Sequence, residues 1–198
     1  MSIAVFASGS GSNFEELVHR SREENWPEQV TLLVCDKPGA GVLERADRLG
    51  VPARVFEPKS YPDKAAYERD VLALLTERGI RWVVLAGYMR LVGPTLLKAY
   101  PWRIINLHPS LLPAFKGKQA IEQAFHHPVK ISGVTVHFVD EGLDTGPIID
   151  QLPVRIEPAD TLERFAEKIH RAEHELLPRT VRRLITGEIP LPDQPADL

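Results

Sequence analysis

The sequence predicts an α/β fold: a doubly wound, mostly parallel sheet with helices on both faces and an antiparallel C-terminal part. Three observations carry this. Through the first half, short unbroken apolar runs alternate with longer amphipathic stretches. Strands buried on both faces read as such runs, and alternation with helices implies parallel crossovers. The first run ends in Ala7-Ser-Gly-Ser-Gly-Ser-Asn13, a glycine-rich turn that opens onto a helix-like segment. In the second half, strand-like runs follow one another across short turns, which suits antiparallel pairing.

The first strand is residues 3–7, and the apolar spacing of residues 14–24 makes the helix after it. A second strand at 30–35 leads to a helix at 42–49, and a third at 53–56 to a helix at 64–78. The fourth strand, 82–86, precedes a short helix at 94–99, and the fifth is 104–107. Runs at 134–139, 147–151 and 154–156 are the later strands. Residues 161–185 form a long helix in which Leu162, Phe165, Ile169, Ala172, Leu176 and Leu177 keep near-helical spacing. Pro178 falls inside it and predicts a kink or a break. Residues 189–198, rich in proline, read as an irregular tail. The whole is read as one domain, 1–198, with a phosphate- and nucleotide-binding half at 1–100 and a catalytic half at 101–188.

Bulk properties narrow the function. The net charge of −3 argues against a dedicated nucleic-acid binder, which shows a basic excess. A single cysteine, Cys35, excludes a disulfide framework and reads as a small buried hydrophobe in its apolar run. Met1-Ser-Ile-Ala-Val runs straight into a strand with no signal peptide, and no apolar run approaches the roughly 20 residues that span a bilayer. A cytoplasmic protein, monomer or homodimer, without membrane or nucleic-acid partner, is expected.

The first turn offers backbone N–H groups at a helix N-terminus, where an anion binds favourably. Ser12 and Asn13 can cap the helix and add donors. Phe14 stands where a dinucleotide fingerprint needs its last glycine, and no Gly-Lys-Ser/Thr triplet follows. The turn is therefore either a monophosphate site or a plain tight turn.

The richest segment is Ile104-Ile-Asn-Leu-His-Pro-Ser-Leu-Leu-Pro113. Residues two apart on a strand point the same way, so Asn106 and His108 project together at the strand end. Asn106 offers a neutral N–H donor for an oxyanion, and His108 a proton shuttle. Asp144, in Asp140-Glu-Gly-Leu-Asp-Thr-Gly-Pro147, is a plausible partner for the imidazole and would favour its charged form. Taken singly, each of these residues has a structural reading: a strand-end histidine, a turn asparagine, an Asx-turn aspartate.

This set, with its Leu-Leu-Pro turn, resembles the folate-dependent formyltransferases. The resemblance spans roughly residues 2–178 and is strongest at 106–113 and 140–147. It implies the formyltransferase fold and the catalytic roles of Asn106, His108 and Asp144. Its purine-biosynthetic branch implies transfer of a formyl group from 10-formyltetrahydrofolate, as cosubstrate, to the amine of glycinamide ribonucleotide (5-phosphoribosylglycinamide), with no metal. Gly11, Ser12 and Asn13 match the phosphate-holding turn of that branch, and Glu173 matches the carboxylate that meets the ribose hydroxyls. Met89, Arg90, Leu91 and Val92, with Asn106, Asp140, Glu141, Gly142 and Leu143, match the folate pocket. Lys64 falls where a basic residue often faces the folate tail. Residues 113–124 resemble a mobile loop and the helix after it. Some members carry a histidine where this chain has Ile121, which leaves the local substrate contacts open.

Rivals remain at this level. Methionyl-tRNA formyltransferase carries a further C-terminal domain and formyltetrahydrofolate hydrolase a further N-terminal one; neither is expected here. His170-Arg-Ala-Glu-His174 spells an inverted zinc-protease pattern, but no third ligand is evident. A non-catalytic nucleotide-binding module is the alternative from another class. His137 reads as a hydrogen-bonded core residue, Tyr88 as packing, and His126-His127 as an exposed helix end.

Overall fold

The computed structural model of the chain describes residues 2–192. Residues 193–198 of the expected tail lie outside them. The chain alternates as predicted: β1 (Ser2–Ala7), α1 (Ser12–Glu23), β2 (Gln29–Cys35), α2 (Gly41–Leu49), β3 (Ala53–Val55), α3 (Lys64–Glu77), β4 (Ile80–Leu85), α4 (Pro94–Ala99) and β5 (Ile104–His108). It continues with α5 (Ala120–His126), β6 (Ile131–Phe138), β7 (Ile148–Arg155) and α6 (Leu162–Ile185). A short 3-10 turn covers Pro58–Ser60.

Among the described residues, seven strands form one sheet in the order β3-β2-β1-β4-β5-β6-β7. The first five are parallel, and β6 and β7 are added antiparallel. Every residue of β1 is buried, as its unbroken apolar run requires. The sheet separates two apolar clusters. On one face Phe14, Leu17 and Val18 of α1, Val42 of α2 and Phe165, Ile169 and Leu176 of α6 pack together. On the other, Tyr67, Val71 and Leu75 of α3 and Leu96 of α4 cover Ala4, Phe6 and Val83.

Two expectations change. The runs at 147–151 and 154–156 are one strand, β7, that continues through Pro153. Its place at the sheet edge explains this, because an edge residue needs no outward donor. The long helix is likewise unbroken at Pro178. Pro178 has no N–H to return to the His174 carbonyl, yet Leu176, Leu177, Val181 and Leu184 bury on both sides of it. That shared core face outweighs the missing bond.

Candidate active site

The strand order reverses between β2-β1 and β1-β4, so the chain leaves β1 on one side and arrives at β4 from the other. The turn after β1 and the loop after β4 diverge there, and a crevice opens at the carboxyl ends of the strands. A cleft of about 840 Å³ occupies this position. One wall is the turn at residues 9–13, another the loop at 87–92, and a third is Asn106, His108, His137 and Asp144.

The turn is shaped by glycine. Gly11 has φ +82°, and a Cβ there would lie 2.4 Å from the Val42 side chain and 2.9 Å from its backbone. Gly11 is also the N-cap of α1, so the helix begins at Ser12 and no side chain caps it. This corrects the capping role expected of Ser12 and Asn13. Their side chains turn to α6 instead: Ser12 Oγ lies 3.2 Å from His174 Nε2, and Asn13 Nδ2 donates to Glu173 Oε2 at 3.2 Å. The first N–H groups of α1 are left for an anion.

Glu173 is 6% exposed, and His170 Nδ1 approaches the same Oε2 at 2.9 Å. The hydrogen bond to Glu173 raises the His170 pKa, against the lowering effect of burial. The zinc-like pattern is thus divided: His170 turns to Glu173 and His174 to Ser12. Among the described residues, no group of three or more His, Cys, Asp or Glu could hold a metal ion.

Asn106 and His108 share a face of β5, and the antiparallel register sets His137 opposite Asn106 and Thr135 opposite His108. Asp144 closes the cluster from the loop after β6. Its Oδ2 lies 3.5 Å from His108 Nδ1 and accepts the Gly117 N–H at 2.8 Å. Its Oδ1 lies 3.8 Å from His137 Nε2 and accepts from Asn106 Nδ2 at 3.4 Å. Burial alone would raise the Asp144 pKa. Bonds to His137 and the Gly117 amide, with the charges of His108 and His137, outweigh it and hold the carboxyl below its ordinary value.

His108 Nε2 lies 2.8 Å from the Phe115 carbonyl, which can only accept, so this nitrogen carries a proton. Nδ1 faces a carboxylate. His137 Nδ1 likewise donates to the Phe138 carbonyl at 2.7 Å, and its Nε2 lies 3.2 Å from Asn106 Nδ2 and 3.8 Å from Asp144 Oδ1. Asn106 Nδ2 thus donates to Asp144 at a long distance, which a stronger acceptor can displace.

The loop before α5 is tied to this cluster. Phe115 and Gly117 make the bonds above, and Gln123 Nε2 donates to the Lys118 carbonyl at 2.6 Å. Ile121 packs against the core rather than lining the cleft.

The sequence pattern of the formyl transferase family matches residues 1–181. The chain belongs to the formyl transferase family. The phosphoribosylglycinamide formyltransferase of Bacillus subtilis is 54% identical over 182 residues, covering 92% of this chain and 93% of that protein. The crystal structure of phosphoribosylglycinamide formyltransferase from Bacillus halodurans has a TM-score of 0.92 at 52% identity, over 98% of this chain and 100% of that one. Glycinamide ribonucleotide transformylase 1 from Geobacillus kaustophilus has a TM-score of 0.90 at 56% identity, over 93% of this chain and 98% of that one. The human trifunctional purine biosynthetic protein adenosine-3 is 36% identical over 189 residues, which are 96% of this chain and 19% of that protein.

In this formyltransferase, the cleft brings together most of the residues singled out in the sequence. Gly11, Ser12, Asn13 and Glu173 line one end, and Met89, Arg90, Leu91, Val92, Asp140, Gly142 and Leu143 the other, with Asn106, His108 and Asp144 between. Met89, Leu91 and Leu143 expose about half their surface there (56%, 52% and 50%), an apolar rim suited to a flat aromatic ligand. Asp140 orders its own loop by accepting from Gly142 N at 3.0 Å and Thr145 Oγ1 at 2.7 Å. Glu141 and Lys64 are exposed and do not line the cleft; Lys64 starts α3 beside Gly93. His137 belongs to the cluster as well as to the core. Its burial is right, at 2% exposed, but only the β5–β6 register puts it against Asn106. The alternation Thr135-Val-His137 was the one signal available.

Proposed function

We propose that this chain transfers a formyl group from 10-formyltetrahydrofolate to the amine of 5-phosphoribosylglycinamide, a step of de novo purine biosynthesis. One observation carries the reading. Asn106, His108 and Asp144 meet within 3.5 Å on the wall of a single cleft, with an anion-suited turn at one end and an apolar rim at the other. The names of the relatives support it.

The acceptor phosphate sits on the N–H groups of Gly11, Ser12 and Asn13, and Glu173 accepts from the ribose hydroxyls. The folate ring lies against Met89–Val92 and the 140–143 loop, with Asn106 at its reacting end. Lys64 reaches toward the glutamate tail. The acceptor nitrogen attacks the formyl carbon, and a C–N bond forms while the carbonyl oxygen gains the negative charge. Asn106 donates to that oxygen, and His108 joins it by releasing the Phe115 carbonyl from Nε2. A proton then leaves the new bond's nitrogen and reaches the departing folate nitrogen as the old C–N bond breaks. His108, charged and oriented by Asp144, relays or balances it. The nucleophile is the substrate amine, so no Ser or Cys nucleophile is needed. The chain works as one domain in the cytoplasm, as monomer or homodimer, on small molecules and not on nucleic acid. Residues 1–100 hold the phosphate and 101–188 supply catalysis and folate binding.

The test is formyl transfer followed through the folate product, with His108→Ala alongside. Acceptor-dependent turnover that is lost in the variant is expected. Folate release without acceptor would instead mark a hydrolase, and ligand binding without turnover a non-catalytic module.

A further inference from the structure

The loop between β4 and α4, residues 86–93, has no helix or strand of its own, yet it carries Met89, Arg90, Leu91 and Val92 along the cleft. Its shape has to be imposed from outside. Two consecutive residues of α3 do much of this. The Tyr67 hydroxyl lies 2.7 Å from that of Tyr88, and the Arg90 guanidinium sits over the Tyr67 ring, 5.2 Å from its centroid. Glu68, 2% exposed, accepts from the Gly93 and Leu96 N–H groups where the loop enters α4. On the opposite side, Ser8 accepts from Met89 N at 2.9 Å and donates its own N–H to the Gly87 carbonyl at 3.0 Å.

Tyr67 is 3% exposed and does not line the cleft. Phe56 and Tyr61 meet its ring edge-on, at 6.2 and 5.3 Å between centroids, so the ring is fixed. Its hydroxyl is a polar handle inside an apolar cluster, and the partner of that handle is in the cleft wall. Burial pushes both phenols up, so the pair is two neutral hydroxyls, one donating to the other.

We propose that Tyr67 is a positioning residue: its hydroxyl, through Tyr88, and its ring, under Arg90, set the loop 86–93 and thereby the fit of the formyl donor. Taking that donor as a folate rests on the function proposed above. Tyr67→Phe removes only the hydroxyl and keeps the ring. Titration calorimetry with tetrahydrofolate is expected to show a Kd raised about three- to tenfold, the size of one hydrogen bond. The Kd for glycinamide ribonucleotide should stay unchanged. Tyr88→Phe should match it, and the double variant should be no worse than either single, because both hydroxyls belong to one bond. An unchanged tetrahydrofolate Kd in Tyr67→Phe, an equal rise for both ligands, or additive singles would overturn the inference. Wild-type chain that binds tetrahydrofolate without formyl transfer would count against the proposed function only, since the Kd comparison stands without turnover.

Discussion

Asp144 is held by more groups than any other residue of the cluster, and its loss should be felt in two ways. The Asp144→Asn side chain keeps the shape and tolerates φ +52°, a left-handed conformation that asparagine also adopts. It removes the charge facing His108. Turnover is expected to fall about a hundredfold or more, within the range for a proton-transfer group, while tetrahydrofolate still binds. A wild-type rate across the pH profile would remove Asp144 from the mechanism. The second effect is on acid stability. The folded pKa of Asp144 lies below the ordinary value, so the stabilisation is present above the unfolded pKa and is lost as pH falls through the folded one. Below about pH 4 the wild type should lose more stability than the Asn variant, as read by denaturant melts at stepped pH. His170 has the opposite sign. It binds its proton more tightly in the fold because of Glu173, so NMR titration should place its pKa above 6.5. Glu173→Gln should bring it back down. At this scale most of the residues that line the cleft were legible in the sequence, since Asn, His and Asp stand out by type within a long motif. It could not identify His137, whose type is equally suited to a core.

At the scale of elements, the turn and α6 form one device. Glu173 on α6 holds Asn13 at the start of α1, and Gly11 lets the chain pass Val42. Gly11→Ala combines a positive φ with a Cβ that has no room, at a cost of about 1–3 kcal/mol for the strain alone. It should lower Tm and raise the KM for the nucleotide acceptor more than that for folate. Glu173→Ala should lower Tm, since Asn13 and His170 lose their partner, and weaken the nucleotide; equal weakening of folate would contradict its assignment. Strands and helices of this region were legible because period and turn chemistry are local. The unbroken passage of α6 through Pro178 was not, because the compensating core face is built by β6, β7 and α1.

For the whole molecule, the reversal of strand order between β1 and β4 creates the crevice, and the antiparallel pairing of β6 with β5 sets His137 beside Asn106 on its wall. The end of the cleft at the glycine turn is spanned by elements from both halves of the chain, α1 and α6. Glycinamide ribonucleotide should therefore increase hydrogen-exchange protection in Ser12–Glu23 and Leu162–Ile185 together. Protection confined to α1 would show that α6 does not take part. Among the described residues no helix is long and apolar enough to cross a membrane.

The sequence by itself determined the α/β class, the parallel-then-antiparallel sheet and the family, because hydrophobic period, glycine turns and a long motif are written residue by residue. It also singled out Asn106, His108 and Asp144, which the structure brings together. Only the tertiary structure decided that His137 joins them, that Ser12 and Asn13 face α6 rather than cap α1, that Lys64 starts its helix outside the cleft, and that Tyr67 packs beneath the loop at 86–93. Each of these depends on two segments distant in the chain meeting at a given register. Strand pairing and helix packing set that register, and no local pattern encodes it.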